Sequence, residues 1–156
     1  MKYRESIIIA LPRFQVLELL DSIDHLPKWQ PDLIHVHPVE GPYRQPGSTC
    51  ELRYKMGNGE MMMTETIVER KLPESITVQY QSKEVWNQLQ SQFTETDSGD
   101  TLWTLDCEFR CTGFMKLMTW FMPRSFKRET QNTLAAFKQF AESVERQAPN
   151  TPEAEE

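Results

Sequence analysis

No apolar run in this 156-residue chain approaches the roughly 18 residues a membrane-spanning helix needs, and the N-terminal run Ile7–Leu11 is shorter than the apolar region of a signal peptide. Stable membrane insertion is therefore not expected. Cysteine is scarce, and Cys50, Cys107 and Cys111 are an odd number without the spacing of a disulfide framework. Such usage suits a reducing compartment, so the expected location is cytoplasmic. Positive charge is in deficit: 17 Lys plus Arg against 23 Asp plus Glu give a formal net charge of -6, which repels phosphate backbones. Nucleic acid is not an expected partner.

Metal-binding patterns are also missing. His35 and His37 alternate on one strand face, but two imidazoles with no third ligand nearby do not make a closed site, and an exposed pair is expected. Cys107 and Cys111 share a strand face at a separation of roughly 13 Å, too far to share one metal or one disulfide. No metal and no cofactor is implied. Neither of these cysteines has a histidine close in sequence to act as a base, which disfavours a Cys–His nucleophile.

A chain of this length forms one domain and buries roughly two thirds of its unfolded surface without staples. Lys2–Ala10, with Ile7, Ile8 and Ile9, reads as a strand that stops at Leu11-Pro12. Pro12 suits the first position of a helix carrying Phe14, Val16, Leu17, Leu19 and Leu20 and ending near Asp21. A second short helix with Ile23 and Leu26 ends by Trp29-Gln30-Pro31. From Leu33 onward, turn signals at Gly41-Pro42, Pro46-Gly47, Gly57-Asn58-Gly59, Leu72-Pro73-Glu74 and Asp97–Asp100 cut out six strands at meander spacing. After Cys111 a helical period runs from Phe114 to Val144, with a kink or break expected at Pro123. Residues 1–147 are expected to form the domain and 148–156 a disordered acidic tail.

The opening Ile7–Pro12 followed by Val16–Asp21 carries a family resemblance, as do the Trp-containing Leu26–Pro31, the turns at Gly41–Gly47, Gly59 and Glu69–Glu74, and Gly99–Thr101 before a Trp-rich strand. From its start to about Val144 the chain resembles the START-like, or SRPBCC, superfamily, which includes polyketide cyclase/dehydratase-like proteins. The resemblance implies an α+β helix-grip fold: strand, helix, helix, then a six-stranded antiparallel meander wrapped around a long C-terminal helix. It implies hydrophobic-ligand chemistry, carrier or cyclase, without supplying reactive residues.

Strand alternation then assigns the inner face. Cys50, Leu52, Tyr54 and Met56 share one side; Ile76, Val78 and Tyr80 follow; then Val85, Asn87, Leu89, Ser91 and Phe93; and last Trp103, Leu105, Cys107, Phe109 and Cys111. The C-terminal helix is expected to oppose them with Phe114, Leu117, Met118, Phe121 and Met122, an adaptable apolar wall. At least part of this surface is expected to enclose a cavity, the alternative being a filled core.

The candidate ligand-binding residues are thus Tyr54, Asn87, Leu89, Ser91, Trp103, Leu105, Phe114, Leu117, Met118, Phe121 and Met122. Tyr54, Asn87 and Ser91 supply polar anchors, or else pair with one another or with backbone. The run Met61–Met63 leaves two registers open. Since carboxylates are rarely buried, the one that leaves Glu65 in water is expected, and the other would make Glu65 a candidate base.

The leading expectation is binding, or transport, of a small hydrophobic molecule such as a lipid, quinone or polyketide, with Pro123 letting the mouth open. The alternative is a cyclase or dehydratase using Tyr54, Asn87 or Glu65 in acid–base catalysis. A third reading is an interaction module that docks its Phe- and Met-rich helix face on a partner or on itself. Lys116, Arg124, Lys127 and Arg128 bracket Pro123 and either meet an anionic surface or form the solvated face of a helix.

Overall fold

The computed structural model describes residues 1–147; the expected tail, 148–156, lies outside the described residues. The chain forms β1 (Lys2–Ile9), α1 (Arg13–Asp21), a single 3-10 turn (Ile23–His25) and α2 (Leu26–Trp29). The strands β2 (Leu33–Glu40), β3 (Thr49–Met56), β4 (Gly59–Lys71), β5 (Ser75–Gln81), β6 (Val85–Glu95) and β7 (Thr101–Cys111) follow. Two helices, α3 (Gly113–Phe121) and α4 (Pro123–Gln147), complete the order. Pro12 caps α1 from outside rather than opening it.

All seven strands make one antiparallel sheet in the order β1-β7-β6-β5-β4-β3-β2. The six later strands pair as a meander because each connection is a short turn, and β1 closes on β7 with Tyr3 opposite Cys107 and Ile9 opposite Thr101. Buried Thr101 donates from its hydroxyl to the Leu11 carbonyl at 2.7 Å. That bond ties the exit of β1 to the sheet edge and sets where α1 begins.

The core lies between the inner sheet face and α4. Phe137, fully buried, meets Trp29 edge-on at 5.2 Å and Trp103 edge-on at 5.5 Å. Leu134 and Ala141 stand one turn either side of it on the same helix face and are likewise buried. Beneath them lie Ile9, Val16, Ile76, Phe93, Trp103 and Leu105. Nearer the start of α4, Phe126 packs edge-on against Phe109 at 5.3 Å, while Tyr3 donates or accepts a 2.8 Å bond with Thr130.

The C-terminal apolar stripe does not behave as one surface. The helix breaks at Met122, where the backbone leaves the helical region before Pro123, as a proline's missing N–H and its restriction of the preceding residue require. The expected wall opposite the sheet is therefore corrected. Phe114, Leu117, Phe121 and Met122 are exposed, as is Trp120 at 77%, and Met118 is half-buried.

Two causes act together. α3 is apolar on nearly every side, so nine residues cannot bury all of them, and the break at Met122 takes it out of phase with α4. The turn into α3 is also tight: Gly113 has φ +56, and a Cβ there would stand 2.5 Å from Glu84 Oε1. Only a glycine fits such a position without displacing its neighbour.

Candidate functional site

The helices cover one end of the inner sheet face and leave the other partly open. Ile76, Phe93, Trp103 and Leu105 are buried under α4, whereas Tyr54, Met61, Met63, Tyr80, Leu89, Phe109 and Cys111 are only half-buried although they point the same way. These residues lie toward the end of the sheet from which β7 runs into α3.

Strand register threads a polar row through this region. Cys50 stands opposite Glu65, Glu65 opposite Tyr80, Tyr80 opposite Asn87, and Asn87 opposite Phe109. Direct cross-strand neighbours have Cβ atoms about 4.5–5.5 Å apart, so a carboxylate, a phenol and an amide lie side by side. The expectation that Glu65 faces water is overturned: it is 8% exposed, with Met61, Met63 and Ile67 on the same face.

The residue that makes this burial tolerable comes from the β2–β3 loop. Arg44 Nη1 lies 3.6 Å from Glu65 Oε1, and Arg44 Nε donates to Asp21 Oδ1 at 2.9 Å. Arg44 holds a left-handed backbone, φ 62, which costs a residue with a Cβ roughly 1–2 kcal/mol. Two carboxylates receiving one guanidinium account for that strain being kept.

A bulge completes the cluster. The β4–β5 register slips between Ile67 and Glu69, so Arg70 arrives on the inner side opposite Ile76. There it clasps Asp21 with two bonds of 2.9 and 2.6 Å. Burial alone would push the Asp21 carboxyl up, but the Arg70 and Arg44 guanidiniums outweigh it and hold the group below its ordinary range.

The phenols respond in the other direction. Tyr54 is raised by burial and then by the Glu65 charge, and it donates to Gln30 Oε1 at 2.7 Å. Tyr80 is raised well above the usual value by the same two causes, with Tyr54 adding to them. Both hydroxyls therefore stay protonated at neutral pH and act as donors.

Asn87 differs from its neighbours, because its Oδ1 is buried and has no hydrogen-bond partner. Ser91, in contrast, accepts from Trp103 Nε1 at 3.0 Å and is thereby satisfied. Of the residues singled out in the sequence, Tyr54, Asn87 and Leu89 come together at the open end. Ser91, Trp103 and Leu105 lie at the packed end, and the α3 residues stand outside the sheet. The sequence reading missed Arg44, Asp21, Gln30 and Arg70; the phase of Glu65 with Met63 and Ile67 was the available signal for Glu65.

Outside the sheet, Phe14, Leu17, Leu72 and Pro73 wall an open groove of about 550 Å³ that also touches Glu18, Asp21, Ser22 and Arg70. A narrower recess beneath it, reaching Arg44, Ile76 and Phe93, has no room for a water molecule. Of the charges bordering the groove, Arg70 and Asp21 are paired with each other. His35 and His37 stack at 6.0 Å on the exposed side of β2, and no group of three or more candidate metal ligands occurs among the described residues.

A family model described as polyketide cyclase / dehydrase and lipid transport matches residues 1–142. The chain belongs to that family. Comparison with curated proteins finds no match. Among solved structures, this polyketide cyclase-family chain is similar to the ZhuI aromatase/cyclase from Streptomyces sp. R1128, with a TM-score of 0.73 at 15% identity over 95% of this chain and 97% of that one.

It is similar also to ginseng major latex-like protein 151 from Panax ginseng, with a TM-score of 0.70 at 17% identity over 90% of this chain and 97% of the other. The third is Ara h 8.0201, with a TM-score of 0.72 at 12% identity over 92% of this chain and 98% of that one. At such identities the likeness shows the fold: the helix-grip arrangement of the START-like, or SRPBCC, superfamily. No helix among the described residues is long and apolar enough to cross a membrane.

Proposed function

We propose that the chain binds a small, largely apolar molecule on the open end of the inner sheet face, with the molecule's oxygen-bearing end set among Asn87, Tyr80, Tyr54 and Glu65. The observation that carries this reading is the unpartnered Asn87 Oδ1. A buried acceptor left unsatisfied costs roughly 1–3 kcal/mol, which a ligand hydroxyl would recover. Leu89, Met61, Met63 and Phe109 supply the apolar wall, in keeping with sites that are mostly apolar with few polar anchors. A hydroxyl-bearing lipid, the reduced quinol form of a quinone or a polyketide has that chemistry, and the family description names polyketides and lipids. Ser91, Trp103 and Leu105, at the packed end of the same face, bound the site on the side covered by α4.

Thermal unfolding with a long-chain fatty alcohol, a ubiquinol or a hydroxyanthraquinone tests the proposal. At a hundredfold excess over Kd a ligand stabilises the fold by about 2.7 kcal/mol, or roughly 5–11 °C for a chain of this size. Asn87→Leu reduces the shift. The absence of any shift, or an equal shift in Asn87→Leu, removes the reading.

The burial of Glu65 beside two protonated phenols favours one second reading, a cyclase or dehydratase. Glu65 would take a proton from carbon and Tyr54 or Tyr80 would donate one to oxygen. Glu65→Gln would then abolish turnover of a linear polyketide thioester while leaving its binding intact; loss of both, or of neither, contradicts it.

A further inference from the structure

The segment Thr112–Arg128 contains four basic residues and no acidic one, in a chain whose net charge is -6. Five of the thirteen exposed large hydrophobic residues fall between Phe114 and Met122: Phe114 at 65%, Leu117 at 49%, Trp120 at 77%, Phe121 at 67% and Met122 at 48%. α3 packs against β7 and α4, and its half-buried Met115 and Met118 alternate with those outward side chains. Trp120 and Phe121 lie together with ring centroids 5.0 Å apart.

Lys116, Arg124, Lys127 and Arg128 are all exposed, and none forms an ion pair among the described residues. Lys127 instead sits 5.7 Å over the Tyr3 ring. The ion pairs elsewhere on the surface, such as Arg4–Asp106 and Lys138–Glu142, show that cations near acids do pair here.

We propose that α3 and the start of α4 form a peripheral docking surface for an anionic lipid bilayer. Aromatic and long apolar side chains would enter the headgroup–acyl boundary while the four cations meet lipid phosphates. Bulky apolar residues interleaved with unpaired Lys and Arg fit that interface. A second copy of the chain fits worse, because it would bring four positive charges against four. The surface lies on the chain, not through it, in agreement with the lack of a spanning helix among the described residues. It is independent of what the inner sheet face binds.

The test is cosedimentation of the full chain with phosphatidylcholine vesicles prepared with and without phosphatidylserine, alongside Trp emission. Binding is expected to the serine-containing vesicles, weakened by salt, with a blue shift reported by Trp120, since Trp29 and Trp103 are buried and Trp86 is half-buried beneath Arg110. Lys116→Ala and Arg124→Ala each weaken binding about fivefold. Trp120→Ala/Phe121→Ala abolishes it with an unchanged melting temperature, and Trp120→Phe keeps binding but loses the emission shift.

Several results overturn the proposal. They are equal binding to both vesicle types, undiminished binding by the double alanine variant, or a concentration-dependent dimer in light scattering that the double variant abolishes while no vesicle is bound.

Discussion

Replacing Arg44 tests how the buried carboxylate is held. The Arg44 and Glu65 side chains are 12% and 11% exposed and 3.6 Å apart, so removing the guanidinium strands Glu65 with no other basic partner among the described residues. Breaking a buried pair in this way costs about 3–5 kcal/mol. Partial solvent access puts Arg44→Ala near the lower limit, about 3 kcal/mol, which lowers Tm by roughly 6–12 °C at this chain length.

Glu65→Gln costs only about 1 kcal/mol, because Arg44 keeps its bond to Asp21 at 2.9 Å. In the double variant no charge is stranded, so the two losses do not add: about 2 kcal/mol is recovered as coupling. Arg44→Gly loses the same pair but releases the strain at φ 62, and is therefore about 1 kcal/mol milder than Arg44→Ala. Urea unfolding followed by far-UV circular dichroism reads all four. Additivity within about 0.5 kcal/mol, with each single change near zero, would refute the reasoning.

Three further outcomes follow from the same geometry. Ser91→Ala leaves the buried Trp103 Nε1 without its acceptor and destabilises the fold by about 1–3 kcal/mol, measured by urea midpoint; an unchanged midpoint contradicts this. Because the folded Asp21 carboxyl is held below its ordinary value by Arg70 and Arg44 against the upward push of burial, its contribution is present above about pH 4 and is lost as pH falls through the folded value. The stability gap between wild type and Asp21→Asn should thus stay constant near neutrality and shrink in acid, and a gap unchanged in acid argues against the pairing. Burial pushes the Cys107 thiol up to about 11 and raises Cys50 as well, so near neutrality both resist a disulfide exchange reagent until the protein is unfolded; rapid labelling in the native state would contradict the buried placement.

Much of the scaffold is legible from the chain alone because its signals are local. Pro12, Trp29-Gln30-Pro31, the turn glycines and strict alternation in β6 and β7 each fix an element or a face without reference to anything distant. What escapes is decided by contacts between segments far apart in sequence. Burial statistics place Glu65 in water, yet Arg44, reaching in from a loop twenty-one residues earlier, makes the opposite register stable.

Arg70 is hidden by a bulge, which shifts the period by one residue and cannot be read from the alternation it interrupts. The stripe from Phe114 to Val144 keeps helical phase on paper. Only the rotation of the backbone at Met122 separates a buried half, Leu134–Ala141, from an exposed one. The inward face of the strand-borne Tyr54, Asn87 and Leu89 was therefore readable, and the loop- and bulge-borne charges were not.

The central claim is that a small molecule with a greasy body and an oxygen at one end lies along the half-covered part of the sheet. A crystal structure of the protein carrying whatever small molecule copurifies with it, or soaked with a ubiquinol, tests this most directly. Density is expected against Leu89 and Met63 with a ligand hydroxyl donating to Asn87 Oδ1. Density confined to the outer groove beside Phe14 and Leu72, with the Asn87 amide unengaged, would contradict it.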